Sequence, residues 1–391
     1  MLEVTITHIG QRWRHWGYYD WLLTGLDLLA ARGRIRLSFD LPPTQAGLES
    51  APEGRSVLDS PQGRELFGIQ DWCLAGKARV KDKSVTFVYD IHDAPHVFAW
   101  GYLEQCHVYF KCQHPTVFDP RGFELSSQVR LPWHPDVFVF KDRIRPAMLG
   151  RPLSVGRSTR ENLAVLELWR QAATRPKANR FLALYGTSFP VPAKREEPGY
   201  SLGEPHDQGR EEFLMSRPEC LGRVEHPNVK RLKLLRWVKD KGFAEVDVRF
   251  RDTDHEDLKG EWFWGPNEYP AFACSTVFNL NVSGHARSIP FRFIDSFLAG
   301  ATVVTDSLNV RWYRDFEPGV EVMDMGPMGY EPDALVDWPR VWKLLEGLYE
   351  HARAHHERHA GDINALYQRK WSPQALAAYV TRELDQALQG L

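Results

Sequence analysis

The chain has 391 residues, 43% of them hydrophobic and 12% aromatic, which is enough for two globular domains with a core each. A formal net charge of −2 argues against a nucleic-acid-binding protein, because such proteins usually carry a strong basic excess. No apolar run approaches the roughly 20 residues that span a bilayer, and no export signal is visible. We therefore expect a cytoplasmic location with at most peripheral association with the inner face of a membrane. The five cysteines include no C-x-x-C pair, so neither a disulfide framework nor a zinc site is indicated.

Strand and helix patterns alternate along the first half of the chain. Short apolar runs predict strands at residues 4–9, 34–39, 85–90 and 107–111. Runs that are nearly continuous, rather than alternating, are typical of a parallel sheet covered on both faces. Helices are predicted at residues 13–31, closed by Gly33, and from a capping box at Ser158 to about Ala173.

The alternation restarts after the polar residues 174–180, which predict a linker between domains. Further strands are predicted at residues 181–185, 244–250, 276–280, 302–305 and 320–323. Helices are predicted at residues 228–241 and about 290–299, and two long helices close the chain, the last beginning at Ser372 and Pro373. The pattern predicts an α/β protein with two Rossmann-like domains, residues 1–175 and 176–365, followed by a helix in residues 366–391.

Residues 275–306 form the most informative segment, STVFNLNVSGHARSIPFRFIDSFLAGATVVTD. It predicts a buried strand, a loop of small and basic residues, a helix and a second strand. Strand, helix and strand in this order make half of a nucleotide-binding parallel sheet. The segment therefore predicts that the second domain binds a nucleotide.

The charges of this segment predict where the nucleotide lies. Arg287 and Arg292 lie around the predicted helix start, where free N–H groups and the helix dipole favour an anion. Ser283 and Gly284 belong to a slim loop whose backbone a phosphate can approach. Asp295, one turn further on, is within reach of sugar hydroxyls. The pattern predicts a site for a diphosphate joined to a ribose; the alternative is an exposed ion pair between Arg292 and Asp295.

The same segment resembles the donor-binding segment of GT-B glycosyltransferases, particularly the exostosin-like ones. The matching positions are Tyr269, Ser275, Phe278, Leu280, Gly284, Arg292, Asp295, Gly300, Val303 and Val304. The resemblance implies two domains that face each other across a cleft, a final helix that packs back towards the first domain, and ribose binding by Asp295. Many retaining members carry a glutamate where this chain has Arg287, so the difference favours transfer with inversion.

An inverting transferase needs a general base beside the acceptor hydroxyl. Asp90, His92 and Asp93 follow a predicted strand of the first domain, and ligands of open α/β sheets lie beyond the carboxyl ends of strands. We therefore predict that one of these three side chains takes the proton of the acceptor. The alternative is that one aspartate caps the following helix.

Three basic residues of the first domain are candidates for binding the acceptor. Arg12 and Arg14 follow the first strand, next to two tryptophans, and Lys111 ends the fourth strand. Aromatic faces stack on sugars, and arginine recognises carboxylate or phosphate groups. The alternative is packing of the aromatic rings in the core, with solvated arginines.

Together these patterns predict an enzyme, a glycosyltransferase that moves a sugar from a nucleotide-diphosphate sugar to an acceptor hydroxyl. The acceptor would be a carbohydrate, a lipid-linked molecule, a protein or a small molecule, for instance in synthesis of a surface polysaccharide. No metal or other cofactor is expected, since arginines can neutralise the leaving diphosphate. Two alternatives stay open: a nucleotide-sugar epimerase of the same fold, and a non-catalytic carbohydrate-binding protein.

Overall fold

The computed structural model of the chain describes residues 1–10, 13–41, 72–134, 136–151, 153, 159–182, 214–242 and 268–391. The strands of the first sheet are β1 (Leu2–Ile9), β2 (Ile35–Phe39), β3 (Cys73–Val80), β4 (Lys83–Asp90), β5 (Val108–Lys111) and β9 (Ile144–Pro146). Their order across the sheet is β2-β1-β3-β4-β5-β9. The carboxyl ends of β1, β4, β5 and β9 lie at one edge, because these strands run in the same direction.

Strand β3 is a correction to the predicted first sheet. It runs antiparallel to both of its neighbours, β1 and β4, so this sheet is mixed rather than wholly parallel. A tight turn joins β3 to β4, and Lys81 in that turn has a φ of 55°. The sequence CLAGKARV contains several small and charged residues. The search for continuous apolar runs therefore missed this strand.

The second sheet contains β10 (Asn179–Leu182), β11 (Thr276–Asn281), β12 (Thr302–Thr305) and β14 (Val322–Asp324), in that order. All of its described pairings are parallel. The α/β class predicted from the sequence is thus confirmed. The predicted strand at residues 244–250 lies outside the described residues.

Short elements connect the two sheets. Strand β6 (His114–Pro115) pairs antiparallel with β13 (Val310–Arg311), so a small ladder joins the two halves of the chain. A second small hairpin consists of β7 (Phe123–Glu124) and β8 (Arg130–Leu131). Two short helices, α2 (Trp100–Leu103) and α3 (Val137–Phe140), lie within the first half.

Helices cover both sheets. The longer ones are α1 (Trp13–Ala31), α4 (Thr159–Ala173), α5 (Pro227–Asp240), α8 (Trp338–Leu366) and α9 (Pro373–Gln389). The shorter α6 (Glu268–Ala273) and α7 (Arg292–Leu298) flank β11 in the chain. The boundaries predicted for α1 and for the start of α9 agree with the structure; Ser372 caps α9 by accepting a hydrogen bond from the Ala375 N–H.

The final helix packs back against the first half of the chain, as predicted. Helix α9 contacts α1 and the strands β3, β4 and β5. The Trp21 indole N–H donates a hydrogen bond to the Trp371 carbonyl, 2.7 Å away, just before α9 begins. The domain boundaries given above stay a prediction. No helix in the described ranges is long and apolar enough to cross a membrane.

The hydrophobic core of the first sheet continues into the second half. Phe293 and Phe297 of α7 stack with each other, and Phe297 also stacks on Trp371 at 6.0 Å between ring centres. All three rings are fully buried, in the same cluster as the core of the first sheet. The two sheets are therefore held together by apolar packing as well as by hydrogen bonds.

Two buried histidines, His96 and His114, and the half-buried His355 predict a loss of stability on acidification. Burial is the main cause that lowers the pKa of His96 to about 3, and that of His114 and His355 to about 4. The unfolded chain binds these protons near pH 6.5, so the free energy of unfolding should fall as the pH drops from about 6.5 towards 4. Each histidine contributes at most about 1.4 kcal/mol per pH unit in that window.

Urea unfolding at a series of pH values measures this dependence. The His355→Gln variant keeps an amide group for the hydrogen bond that His355 shares with Thr302 at 2.8 Å, but it removes the titration. Its stability should depend less steeply on pH between 6.5 and 4 than that of the wild type. An equal slope in both proteins would show that His355 does not contribute.

Candidate active site at the junction of the two sheets

The carboxyl edges of the two sheets meet at Gln113 and Ile289. Gln113 follows β5, and its side-chain amide donates to the Ile289 carbonyl at 3.0 Å and accepts from the Ile289 N–H at 2.8 Å. Both residues are fully buried. Because Ile289 lies in the loop after β11, this pair joins the predicted acceptor side to the predicted donor side. Sequence reasoning assigned no role to Gln113; its only signal was its position just beyond a predicted strand.

A second contact joins the same two edges. The Glu331 carboxylate, 4% exposed, accepts hydrogen bonds from the Ser127 N–H and the Ser127 hydroxyl, both at 2.6 Å. Glu331 lies beyond β14, and Ser127 lies between β7 and β8. This contact therefore joins the β7–β8 hairpin of the first half to the segment beyond β14.

The predicted phosphate-binding loop, residues 283–289, is anchored to the strand beside it. Ser283 donates from its N–H and from its hydroxyl to the two oxygens of Asp306, each at 2.7 Å. Asp306 is fully buried and directly follows β12. A Cβ at position 284 would lie 2.6 Å from the Ser288 hydroxyl oxygen, so a larger residue there would require the Ser288 side chain to move. The loop also closes on itself, since the Gly284 N–H donates to the Ser288 carbonyl at 2.8 Å.

Two residues of this loop have a left-handed backbone. Ala286 and Arg287 have φ values of 48° and 64°, a conformation that costs a non-glycine residue about 1–3 kcal/mol. The Ala286 N–H donates to the Tyr330 hydroxyl at 2.8 Å, and the Arg287 N–H donates to the Gly284 carbonyl at 3.0 Å. These bonds hold the loop in a conformation that the chain alone would not favour. Such strain is often found at ligand-binding sites.

Arg287 is a buried cation without a carboxylate partner in the described part of the chain. The residue is 5% exposed, and one terminal nitrogen of its guanidinium donates to the Ser307 carbonyl. Its Nε has no hydrogen-bond partner among the described residues. Asp306 lies nearby, since both residues adjoin Gly329, yet no ion pair forms between them. A buried charge in this state is costly unless an anion compensates it.

Arg292, predicted to lie at the helix start, is the first residue of α7 and is partly exposed. Its Nε donates to the Asn281 side-chain oxygen at 3.0 Å, at the carboxyl end of β11. It therefore lies at the same edge of the sheet as Ser283 and Gly284.

Asp295 lies in a buried ion pair with Arg151. One of its carboxylate oxygens accepts a hydrogen bond from Arg151 Nε, and the other accepts one from the Tyr269 hydroxyl at 2.9 Å. The guanidinium of Arg151 lies 5.0 Å from the centre of the Trp169 ring. Asp295 and Arg151 are 1% and 2% exposed. Burial raises the pKa of Asp295, against the opposing effects of Arg151 and Tyr269.

This arrangement constrains the predicted ribose contact. Asp295 is 1% exposed, and each of its carboxylate oxygens already accepts one hydrogen bond, so a ribose hydroxyl could reach it only if the packing around Arg151 and Tyr269 opened. The ribose contact stays a prediction. Arg151 had no signal in the sequence, because it lies between β9 and α4, outside any predicted element.

Asp90 and Lys111, predicted as base and acceptor ligand, pair with each other. Lys111 Nζ lies 2.9 Å from an Asp90 oxygen that also accepts from the Tyr109 hydroxyl at 2.6 Å. Both side chains are completely buried. A general base must lie within hydrogen-bond reach of the proton it takes. In this arrangement neither Asp90 nor Lys111 reaches a ligand.

The remaining candidates of the first half have different surroundings. His92 and Asp93, directly beyond β4, are partly exposed. Arg14 lies in the first turn of α1, and its side chain is outside the described part. Arg12 also lies outside the described residues. Of these four candidates, His92 and Asp93 are thus the ones whose side chains the structure describes, at the carboxyl end of β4.

His96 is a further residue near the junction that sequence reasoning missed. It is 9% exposed and stacks on Phe123 at 6.3 Å between ring centres. After burial, the charges of Arg217, His285 and Lys111 are the causes that lower its pKa to about 3. With this pKa the His96 ring is neutral at pH 7.

Within the described ranges, no group of three or more His, Cys, Asp or Glu side chains is arranged so that it could hold a metal ion. His355, which shares a helical face with His351 and His359, instead bonds Thr302. The D-x-D sequence at residues 252–254 lies outside the described residues.

Comparison with known proteins gives matches only among solved structures. No protein-family model and no curated protein matches the chain. Anabaena Alr3699/HepE in complex with UDP-glucose is similar over 99% of this chain and 100% of that chain, at 10% identity and a TM-score of 0.39. WaaG, a glycosyltransferase involved in lipopolysaccharide biosynthesis, is similar over 97% of both chains, at 12% identity and a TM-score of 0.37. With HepE in complex with UDP and glucose, the match spans 72% of this chain but only 64% of that chain, at 10% identity and a TM-score of 0.33.

Proposed function

We propose that this protein is a GT-B-type glycosyltransferase that binds a nucleotide-diphosphate sugar at the junction of its two sheets. An acceptor hydroxyl would form a bond to the anomeric carbon while the bond from that carbon to the diphosphate oxygen breaks. Transfer would proceed with inversion and without a metal ion. The acceptor would be a carbohydrate, a lipid-linked molecule, a protein or a small molecule.

The observation that carries this proposal is the buried guanidinium of Arg287. It lies in a strained loop at the carboxyl end of β11, with its Nε unpartnered in the described part of the chain. A diphosphate bound against the 283–287 loop would supply the missing negative charge and accept a hydrogen bond from the guanidinium. Arg292, partly exposed at the same edge, would neutralise charge on the leaving diphosphate.

The acceptor side of the proposal rests on the segment beyond β4. Since Asp90 is buried against Lys111, Asp93 is the partly exposed carboxylate among the three predicted catalytic residues. Asp93 would act as the general base. The ribose contact of Asp295 enters the proposal only with a second arrangement of the site, in which this buried carboxylate becomes accessible.

Replacing Arg287 by Met should weaken nucleotide binding. Loss of a hydrogen bond between charged groups costs about 1.5–3 kcal/mol, so Kd should rise roughly 10- to 150-fold. Isothermal titration of the wild type with UDP, GDP, CDP and TDP selects the nucleotide, and the variant is then titrated with the same one. Arg353→Met, on an exposed part of α8, is the control and should bind as the wild type does.

The titration, together with incubation of a nucleotide sugar with the protein, distinguishes the possible functions. No heat with any of the four nucleotides would remove the donor site. Unchanged affinity in Arg287→Met would place the diphosphate elsewhere. Conversion of a nucleotide sugar incubated with the protein alone would indicate an epimerase instead of a transferase.

A further inference from the structure

The segment beyond β4 is held by its neighbours through its backbone. An Asp90 oxygen accepts a hydrogen bond from the His92 N–H at 2.7 Å, and Lys111 Nζ donates to the His92 carbonyl at 3.2 Å. The buried ion pair of Asp90 and Lys111 thus forms hydrogen bonds with both the N–H and the carbonyl of His92. The pair is in turn braced by the Tyr109 hydroxyl, which donates to Asp90 at 2.6 Å and accepts from the Ala99 N–H at 2.9 Å.

The ring of His92 is also oriented. Its Nδ1 accepts a hydrogen bond from the Ala94 N–H at 3.0 Å, and the ring packs edge to face with Trp72 at 5.3 Å between centres. A backbone N–H can donate only to a nitrogen that carries a lone pair. In the neutral ring the proton must therefore be on Nε2. For Nε2 to accept a proton as a base, Nδ1 would have to hold one, and it would then face the Ala94 N–H.

We propose that Asp90 and Lys111 are positioning residues, which hold residues 91–94 so that His92 keeps its proton on Nε2 and donates it to an oxygen of a bound ligand. His92 is then a hydrogen-bond donor and not the general base. The ligand oxygen belongs to a phosphate or to a sugar hydroxyl. The identity of the ligand rests on the proposed function, whereas the position of the proton does not.

The position of the proton is measured by NMR of the full chain with ¹⁵N-labelled histidine. The His92 signals are assigned by their loss in His92→Gln. We expect the neutral ring to show an unprotonated Nδ1 and a protonated Nε2. A protonated Nδ1 would overturn the proposal, whatever the protein binds.

Variants of the pair test the positioning. Asp90→Asn keeps the shape of the side chain, and Lys111→Met removes the donor to the His92 carbonyl. In folded protein, either change should give a mixture of the two tautomers at His92. An unchanged single tautomer in both variants would show that the pair does not position the ring.

Binding separates the two kinds of ligand oxygen. His92→Ala is titrated with the nucleoside diphosphate that binds the wild type and with its glucose conjugate. Weaker binding of both, by roughly tenfold or more, would place a phosphate oxygen at Nε2, and weaker binding of the conjugate alone would place a sugar hydroxyl there. Unchanged affinity for both probes would overturn the donor role.

Two further variants distinguish a donor from a base. The amide N–H of His92→Gln can replace Nε2–H, so this variant should keep most of the turnover that His92→Ala loses. If His92 were the general base, turnover would fall by about 10²–10⁴-fold in both His92→Gln and His92→Ala. The limb of the pH–rate profile that reports the base would also disappear. The matched control is His107→Gln: His107 Nδ1 accepts from the Thr86 N–H at 3.1 Å, just before β5 begins, away from the junction. This variant should leave turnover and binding unchanged.

Failure of the proposed function gives a different pattern. If the wild type binds none of the nucleotides and transfers no sugar, the glycosyltransferase assignment fails, while the NMR result still decides the tautomer.

Discussion

Replacing Arg151 by Met should lower the free energy of unfolding by about 3–5 kcal/mol, because the Asp295 carboxylate is left buried without its cation. Arg151 and Asp295 are 2% and 1% exposed, so water does not replace the lost partner. Tyr269 still donates to the other oxygen, but a single hydroxyl does not neutralise the charge. Urea unfolding followed by tryptophan fluorescence measures the change.

A double variant tests the cause. Arg151→Met combined with Asp295→Leu removes both charges and should recover much of the lost stability, since replacing a whole buried pair by apolar residues is often neutral. Recovery should be incomplete, because the Tyr269 hydroxyl loses its acceptor. Arg121→Ala, which breaks an exposed pair with Asp119, is the control and should cost at most about 1 kcal/mol. A single variant as stable as the wild type would show that the pair does not form in solution.

A further variant, compared with Arg151→Met, decides the role of Asp295 in binding. Asp295→Asn keeps the shape of the side chain and an acceptor for Tyr269 but removes the charge. If this variant loses nucleotide affinity while Arg151→Met keeps it, Asp295 binds ribose in a second arrangement of the site. If Asp295→Asn binds nucleotide as the wild type does, the predicted ribose contact is wrong and the residue serves to join the two halves of the chain.

Replacing Lys111 by Met should also lower the free energy of unfolding by about 3–5 kcal/mol, because Asp90 is then an unpaired charge at a fully buried position in the first half of the chain. The Tyr109 hydroxyl and the His92 N–H would remain as its donors. The expected loss appears as a lower urea midpoint at pH 7.

The control for this prediction is Lys77→Met, in the exposed part of β3, which should change stability by no more than about 0.5 kcal/mol. The double variant Lys111→Met with Asp90→Leu should be more stable than Lys111→Met alone. If Lys111→Met unfolds at the same urea concentration as the wild type, the buried pair contributes nothing to the free energy of unfolding. The proposal that Asp90 and Lys111 hold the backbone of His92 then loses its support.

Much of the fold could be predicted because it depends on local pattern. The helix at residues 13–31, strand β12 and the capped start of α9 agree with the structure, since each is marked by an apolar period or a cap within its own sequence. Strand β3 could not be predicted in the same way. Its pairing with β1 and β4 is antiparallel, and its small and charged residues show no continuous apolar run.

For the site, the sequence was informative about which segments meet but not about which side chains pair. The loop at residues 283–289 and the segment beyond β4 both lie at carboxyl ends of parallel strands, a placement that follows from strand direction alone. That Asp295 would bind Arg151, and Asp90 would bind Lys111, depends on contacts between residues 144 and 21 positions apart.

The sequence by itself determined the α/β class, the strand–helix–strand order of residues 275–306 and the position of the candidate residues along the chain, because periodicity and caps act over a few neighbouring residues. Only the tertiary structure decided which of those residues are buried and which residues they bind. Burial and partner choice depend on residues brought together from distant segments, and a charge within such a contact is neutralised there. Arg287, the cation that lacks a carboxylate partner in the described chain, thus became the centre of the proposed site, while Asp295 and Asp90 became parts of its framework.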